Sequence, residues 1–457
     1  MRSMLIDTHS HLEMKAFKSD RDEVIKRAGV EDIGYIINVG SDETGNINGL
    51  RLSVEYENIY SSVGIHPHDA KTLDDSLFSK IRMWINQPKV VAIGEIGLDY
   101  HYINSPKDVQ LEAFRRQIAL ARESDLPLIV HSRDANDDTI RILSEEAAGL
   151  KGVLHCFSGD QDMAWKVIEM GLHISIAGPV TFNNATELRD ISKTLPDERL
   201  LIETDAPYLS PVPMRGKRNE PSFIKYTAKE LADTRGVSLE DISRITTLNA
   251  MRLFNIGSIP EKGEIAYRIR DSLYLNVTDR CTNRCGFCVR SHTSYIKGHN
   301  LKLEKEPSAE ELIKAIGDPG LYKEVVFCGL GEPFLRLDLI KTVSRWVKEQ
   351  GGKVRVNTNG HGNAINNRNI LPELEGLVDS ISISLDAEDE KKYQKICKPL
   401  IKNSFNNVIS FIKESKKYIP EVNVTVVSVP EIDLDKCRDI ARDLGVGIRV
   451  REYNVVG

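Results

Sequence analysis

Eight short apolar runs, rich in β-branched residues and separated by amphipathic stretches, dominate the first 205 residues of the chain. Parallel strands need a crossover connection, usually a helix, so this alternation is typical of a βα repeat. Eight such units in about 250 residues predict a TIM barrel, (β/α)8. The runs occupy residues 4–7, 35–40, 59–65, 90–97, 126–131, 152–157, 173–178 and 200–205.

A second series of six apolar runs follows a polar stretch that contains Gly257, Pro260 and Gly263. Six strands with intervening helices predict an open or partial parallel barrel, (β/α)6. The runs occupy residues 273–277, 324–328, 353–357, 379–385, 422–429 and 447–452.

The length of 457 residues exceeds what one hydrophobic core usually spans, so two α/β domains are expected. We place the first at residues 1–257 and the second at residues 269–457, with a linker at 258–268. The chain has no apolar run of about 20 residues and no leader of basic then apolar residues, so we expect neither a membrane span nor a secretory signal. A cytoplasmic protein is therefore expected. The net charge of -6 argues against a protein that coats nucleic acid, so any such contact must be local.

Imidazoles and carboxylates recur at the carboxyl ends of the predicted strands of the first half, where TIM barrels build their active sites. His9 and His11 are two apart in an extended strand and so face the same way. One such histidine alone would be interpreted as an ordinary core or surface residue, but the whole set indicates a metal site. Glu203 lies deeper than Asp205 and is interpreted as a structural partner. The candidate ligands are His9, His11, Glu95, His131, His155 and Asp205.

Ordered motifs across residues 1–257 resemble those of the TatD family of metal-dependent deoxyribonucleases. They are DTHSHLE (7–13), GIHPH (64–68), GEIGLDYH (94–101), HSRDA (131–135), HCFSG (155–159), ETDAPYL (203–209), RGKRNEP (215–221) and TTLNAMRLF (246–254). The first motif ends in Glu13, where the family often has Asp.

The resemblance implies a site for two divalent ions, for which zinc, manganese and magnesium are candidates. His9, His11, Glu95 and Asp205 would bind one ion, and Glu95, His131 and His155 would bind the other. Asp205 would also be the general base, and His66 would donate a hydrogen bond to the scissile phosphate. A basic loop that contains Arg215, Lys217 and Arg218 is expected to bind substrate phosphate, although such a loop alone would be interpreted as a solvated turn.

Three cysteines form a C-x3-C-x2-C pattern directly after a predicted strand, at Cys281, Cys285 and Cys288. An odd total of seven cysteines, with three clustered, indicates metal ligation in a reducing compartment rather than a disulfide framework. Three thiolates can hold three irons of a four-iron cluster and leave the fourth iron open. A zinc site completed by His292 is the alternative, with an atypical spacing.

This spacing, with the aromatic Phe287 before the third cysteine, resembles the radical S-adenosylmethionine superfamily. GLGEP (329–333), NTNG (357–360) and SLDA (384–387) resemble its further motifs. The resemblance implies a 4Fe-4S cluster, an electron donor, and reductive cleavage of S-adenosylmethionine to methionine and a 5'-deoxyadenosyl radical. The implied cofactor-binding residues are Phe287, Gly329, Gly331, Glu332, Asn359, Ser384 and Asp386.

Two other cysteines of this half are interpreted separately. Cys328 is expected to be a buried small hydrophobe on a strand. Cys397 is expected in a loop, as a core contact or a radical-relay thiol. No second CxxC cluster follows, so no auxiliary iron-sulfur centre is expected.

The fusion as a whole resembles the TatD-associated radical S-adenosylmethionine proteins. The leading hypothesis is a bifunctional enzyme that hydrolyses phosphoesters in DNA or another nucleotide substrate and carries out radical chemistry. Hydrolysis of an ester or amide, such as aminoacyl-tRNA, is the rival, because a dinuclear site also polarises carbonyls. A third hypothesis makes one half only a binding or regulatory module.

Overall fold

The computed structural model describes residues 4–451 and residue 453. The chain forms two compact units, one ending at Ile259 and the other beginning at Pro260. Each unit has its own hydrophobic core. Residues 266–268, expected in the linker, are part of a strand of the second unit.

The first unit is an eight-stranded parallel sheet with its strands in sequence order, as predicted for a TIM barrel. A parallel bridge between Ser10 and Ala206 closes the barrel. The strands are β1 (Leu5–Ser10), β2 (Ile33–Val39), β3 (Ile59–Val63), β4 (Val90–Asp99), β5 (Leu128–Arg133), β6 (Gly152–Leu154), β7 (His173–Ile176) and β8 (Leu200–Ile202).

Nine helices of the first unit are α1 (Arg21–Val30), α2 (Glu43–Glu55), α3 (Asp75–Trp84), α4 (Lys107–Ser124), α5 (Asn136–Glu146), α6 (Gln161–Glu169), α7 (Thr186–Thr194), α8 (Ile224–Arg235) and α9 (Leu239–Phe254). Helices cover the outside of a TIM barrel and side chains fill its inside. All ten residues of β4 are accordingly buried, which explains why its sequence is a nearly continuous apolar run. Helix α9 begins at a capping box of Ser238 and Asp241, which satisfies backbone groups at its start.

The second unit contains a seven-stranded sheet in the order β17-β16-β15-β14-β13-β10-β9. Six of these strands are parallel and match the six predicted runs, and β9 pairs antiparallel with β10. Strands β11 and β12 form a separate hairpin. The strands are β9 (Ala266–Ile269), β10 (Ser272–Leu275), β11 (Tyr295–Ile296), β12 (His299–Asn300), β13 (Val325–Phe327), β14 (Val354–Thr358), β15 (Ser380–Ser384), β16 (Glu421–Val427) and β17 (Gly447–Arg451).

Six helices of the second unit are α10 (Ala309–Ile316), α11 (Leu337–Glu349), α12 (Gly362–Asn366), α13 (Glu390–Cys397), α14 (Ser404–Ser415) and α15 (Leu434–Leu444). Most follow a parallel strand, as the βα alternation predicts. Among the described residues, no helix combines the length and apolar composition needed to cross a lipid bilayer.

Candidate metal centre and cysteine loop

His9 and His11 stand at the carboxyl end of β1, where the pairing with β2 becomes irregular over residues 7–10. Backbone hydrogen bonds from Asp205 N to His9 O (2.9 Å) and from His11 N to Ala206 O (2.8 Å) fix this segment against the residues after β8. Closure of the barrel therefore brings both imidazoles next to Asp205.

Glu95 owes its position to an irregularity in β4. The pairing of β4 with β5 shifts register between Ile93 and Ile96, and such a bulge re-aims the side chain within it. Gly97 has a φ of 138°, and a Cβ atom there would stand 2.0 Å from the carbonyl oxygen of His131. Only glycine permits this approach, which holds β4 close to the strand that carries His131.

Four donor atoms converge at the carboxyl end of the barrel and form what we call the first donor group: His9 Nε2, His11 Nε2, Glu95 Oε2 and Asp205 Oδ1. The imidazole nitrogens are 3.2 Å apart, 3.5 and 3.6 Å from the Glu95 oxygen, and 3.8 and 3.6 Å from the Asp205 oxygen. Ligands about 2.1 Å from a tetrahedral ion stand about 3.4 Å from one another. The spacing is therefore that of a coordination shell.

The other oxygen of Glu95 faces a second donor group, formed with His131 and His155. Glu95 Oε1 is 2.9 Å from His131 Nδ1 and 2.8 Å from His155 Nε2. The two imidazole nitrogens are 3.2 Å apart. Glu95 thus presents one oxygen to each group, as a bridging carboxylate does.

The outward-facing nitrogens of three of the four ligand imidazoles are held by hydrogen-bond acceptors, whereas His9 Nδ1 has no hydrogen-bond partner among the described residues. Since these nitrogens donate, the inward nitrogens of neutral rings present lone pairs to Glu95. Such partners are the usual support of metal-binding histidines. The contacts are His11 Nδ1 to Val39 O (2.9 Å), His131 Nε2 to Asp99 Oδ2 (3.0 Å) and His155 Nδ1 to Glu203 Oε1 (3.1 Å).

Electrostatics at this centre favour positive charge. Burial raises the pKa of Glu95 and is the largest influence, but the charge of His155 and the hydrogen bond with His131 outweigh it and hold that pKa well below its usual range. Burial lowers the pKa of His155 most, yet Glu95 and Glu203 raise it well above its usual value. Imidazole lone pairs that face carboxylates need a proton or a cation between them. The donor set fits divalent metal ions.

His66 differs from the ligand histidines in its hydrogen bonding. Its Nδ1 accepts a hydrogen bond from the backbone N–H of His68 (3.1 Å), so the ring hydrogen lies on Nε2. Burial lowers the pKa of His66 well below its usual value, which keeps the ring neutral. The Nε2–H group lies 3.5 Å from Glu95 Oε1 and is a donor at the edge of the centre.

The basic loop after β8 divides into two parts. The guanidinium of Arg218 makes paired hydrogen bonds to Asp20 (2.9 and 2.6 Å) and stacks on Phe17, so its donors are used within the protein. Of the three basic residues expected to bind phosphate, Arg218 is therefore engaged within the chain, whereas Arg215 and Lys217 are exposed.

Asp99 was not among the residues selected from the sequence. Its Oδ2 lies 3.0 Å from His131 and 3.1 Å from His68, which links a ligand to the neighbouring GIHPH motif. The sequence signal was its position at the end of β4, four residues after Glu95.

The three clustered cysteines follow β10 on an irregular loop, residues 281–288, which we call the cysteine loop. Backbone hydrogen bonds from Arg284 N to Cys397 O (2.9 Å) and from Gly286 N to Ile396 O (3.0 Å) attach it to the end of α13. All three thiols are half-buried. Burial raises the pKa of Cys281 to about 11, and ligation by iron would displace that proton. Three thiols on one supported loop fit an iron-sulfur cluster.

Cys397 is the last residue of α13 rather than part of a loop, and it is fully buried. The neighbouring thiol of Cys285, followed by burial, raises the pKa of Cys397. The expectation that Cys397 is a core residue is therefore correct. Its neighbour in that core, Cys285, is a predicted cluster ligand. Cys328 lies just after β13 and is half-buried, so its expected place within a buried strand is wrong.

The GLGEP segment packs closely against the start of the cysteine loop. A Cβ atom on Gly331 would stand 2.3 Å from Arg280 O, and one on Gly329 would stand 2.0 Å from Asn276 Oδ1. The Glu332 carboxylate accepts hydrogen bonds from Thr358 Oγ1 (2.8 Å), Asn359 N (2.7 Å) and Phe334 N (3.1 Å). It ties β14 to this segment, so its oxygens are already used within the chain.

The other predicted cofactor-binding residues lie in different surroundings. Asn359 Nδ2 donates to Thr282 Oγ1 (2.8 Å) and lies 3.7 Å from Cys281 Sγ. Burial raises the pKa of Asp386 to about 6, although its hydrogen bond with Ser384 acts in the opposite direction. Its Oδ1 has no hydrogen-bond partner among the described residues. Phe287 is half-buried against the core.

An eight-stranded parallel barrel with imidazoles and carboxylates converging at its carboxyl end defines a metal-dependent hydrolase of the TIM-barrel class. A family model described as TatD related DNase matches residues 6–255, and the chain belongs to this family. The model of the radical SAM superfamily matches residues 275–444, so the second unit is a radical S-adenosylmethionine domain. Both domains are of enzyme families.

Related proteins match the first unit. The uncharacterized metal-dependent hydrolase YabD of Bacillus subtilis is 46% identical over 254 residues, covering 55% of this chain and 100% of its own. The 3'-5' ssDNA/RNA exonuclease TatD of Erwinia tasmaniensis is 36% identical over 259 residues, covering 55% and 100%. The crystal structure of the TatD homologue YjjV of Escherichia coli matches with a TM-score of 0.54 and 29% identity, covering 56% of this chain and 100% of that one.

Proposed function

We propose that the first unit hydrolyses phosphoester bonds of nucleic acid and holds two divalent ions, one at each donor group. The observation that carries the proposal is Glu95, whose two oxygens face separate sets of imidazoles. The Erwinia relative named as an exonuclease of single-stranded DNA and RNA supports the substrate class. Intact donor sets argue against a mere binding module.

Each residue of the centre has a role in this proposal. Two bound ions would activate water and neutralise the charge that develops on the phosphoryl group. Asp205, at the rim of the first donor group, would accept the proton of the attacking water. His66 would donate its Nε2 hydrogen to a phosphate oxygen. Release of 5'-mononucleotides from single-stranded DNA tests the proposal, and cleavage of aminoacyl-tRNA without nucleotide release would favour ester hydrolysis instead.

We expect Arg215→Ala and Lys217→Ala to weaken binding of single-stranded DNA and to make it less sensitive to salt. Each lost phosphate contact lowers the slope of log K against log salt by about 0.7 for single strands. Fluorescence anisotropy at several salt concentrations measures this slope. Lys151 is an exposed lysine directly before β6, at the opposite end of the barrel, so Lys151→Ala is the matched control. Equal slopes for all variants would make the loop a solvated turn.

For the second unit we propose a 4Fe-4S cluster held by Cys281, Cys285 and Cys288, with S-adenosylmethionine bound beside it and an external electron donor. Reduction of a bound cluster supplies the electron that cleaves S-adenosylmethionine. The half-buried thiols on one supported loop and the unpartnered Oδ1 of Asp386 support this proposal. Anaerobic reconstitution followed by an assay for 5'-deoxyadenosine, with candidate nucleic acids present, tests it.

We expect Asp386→Ala to weaken binding of S-adenosylmethionine about tenfold or more, because a hydrogen bond to a charged group contributes about 1.5–3 kcal/mol. Titration of the cluster's visible spectrum with S-adenosylmethionine gives the Kd. Before S-adenosylmethionine is added, the absorbance of the cluster in the variant should equal that in the parent. Asp338→Ala, which alters an exposed carboxylate on α11, is the control. An unchanged Kd would remove Asp386 from the cofactor site.

A further inference from the structure

Two tyrosines on the carboxyl end of the barrel expose more than half of their surface. Tyr102, in the connection after β4, is 57% exposed, and Tyr208, in the connection after β8, is 52% exposed. A single exposed tyrosine is ordinary on a protein surface, but two rings that flank one functional centre offer it an aromatic surface on each side. Core packing does not account for either ring.

The two rings lie next to different donor groups. The centroid of the Tyr208 ring is 6.3 Å from that of His11, a member of the first donor group. The Tyr102 ring is 5.6 Å from His68, whose ring is 4.4 Å from His66. His66 in turn is 4.5 Å from His131 of the second donor group. The contacts run from Tyr208 through the centre to Tyr102.

Cations accompany the aromatic side chains. The Arg133 guanidinium lies 4.9 Å from the centre of the Tyr102 ring, and that of Arg215 lies 4.0 Å from the Phe182 ring. Both arginines are exposed, and neither makes a carboxylate ion pair with the described residues. Alternation of aromatic rings with cations is typical of surfaces that bind single-stranded nucleic acid.

We propose that Tyr102 and Tyr208 stack nucleobases on the two sides of the bond that is cut, with Arg133 on the neighbouring phosphate. The inference rests on the proposed phosphoesterase function and specifies its substrate. A ring can stack only on a base whose face is free, so the site selects unpaired nucleotides. Stacking is tolerant of base identity, so little sequence preference is expected.

The test compares two single-stranded oligonucleotides, one ordinary and one whose terminal nucleosides are replaced by tetrahydrofuran residues, which keep the phosphates and lack bases. Stacking contributes about 1–3 kcal/mol per base, so Tyr102→Ala and Tyr208→Ala should each lower kcat/KM about tenfold for the ordinary strand. The base-free strand, with the same phosphates, should be cut equally by the parent and both variants. Tyr102→Phe and Tyr208→Phe should restore the parent rate.

Trp165→Ala is the control, because it removes another exposed aromatic ring, on α6. It should change the rate of cleavage of neither the ordinary nor the base-free strand. Binding of both strands to protein treated with chelator is measured in parallel by fluorescence anisotropy. Equal effects on the two strands, or none, would overturn the stacking proposal. If the parent cuts neither strand, the phosphoesterase function is wrong. The binding data then test stacking by themselves. A tenfold loss of affinity in the two alanine variants that is confined to the ordinary strand supports stacking.

Discussion

The Glu95→Gln variant is expected to lose phosphoester hydrolysis by about a thousandfold or more and to retain at most one of two divalent ions. A metal ion contributes several kcal/mol of transition-state stabilisation, and each 1.4 kcal/mol is a factor of ten in rate. Glu95 offers an oxygen to both donor groups, so loss of its charge affects both. Elemental analysis of protein purified with metal, together with release of mononucleotides, measures the two effects.

Glutamine is the appropriate replacement because Glu95 is only 3% exposed. Alanine would leave a cavity in the centre of the barrel and combine loss of stability with loss of charge. Glutamine fills nearly the same volume and leaves no cavity, so the metal-free variant should lose only the stability that the charge of Glu95 contributes beside the imidazoles.

Glu220→Gln is the matched control. Glu220 is another buried carboxylate of the same barrel, paired with Arg27 (2.6 Å) outside the donor groups. The control should keep both ions and full hydrolysis, although loss of its ion pair will lower stability. Retained hydrolysis by Glu95→Gln, or two ions per chain in that variant, would contradict the assignment.

The barrel could be predicted from the sequence because its strands are buried on both faces. Such strands read as short continuous apolar runs, and all eight runs became strands. Strand β9 was missed for the opposite reason. Its sequence, AYRI, has a single buried residue and lies in a segment broken by glycine and proline.

The ligand positions could be predicted because side chains at the carboxyl ends of barrel strands share one face. Contacts between segments that are distant in the sequence could not be predicted in this way. Arg218 is engaged by Asp20, 198 positions away, so a basic loop in the sequence proved to be partly a structural ion pair. Similarly, only the docking of the cysteine loop on α13 brings Cys397 to Cys285.

The Cys285→Ala variant is expected to lose the 4Fe-4S cluster and all formation of 5'-deoxyadenosine, while hydrolysis by the first unit continues. A cluster held by three thiolates on one loop loses a third of its protein ligands. The two units have separate cores, and cores of this size can fold as units. Iron and sulfide content after anaerobic reconstitution, product formation and nuclease activity are measured on one preparation.

Cys397 determines how this experiment must be designed. Its thiol is next to that of Cys285, so it lies within reach to replace the lost ligand. The double variant Cys285→Ala, Cys397→Ala removes that route and should hold no cluster, whereas Cys397→Ala alone should keep one. Cys437→Ala, which alters a buried thiol of α15, is the control for loss of a cysteine from this core.

Tightly bound zinc in the reconstituted parent, or a spectrum that S-adenosylmethionine leaves unchanged, would refute the radical chemistry. Zinc would do so because it has no redox chemistry, and an unchanged spectrum would do so because an iron left open for the cofactor must change its spectrum when that cofactor binds.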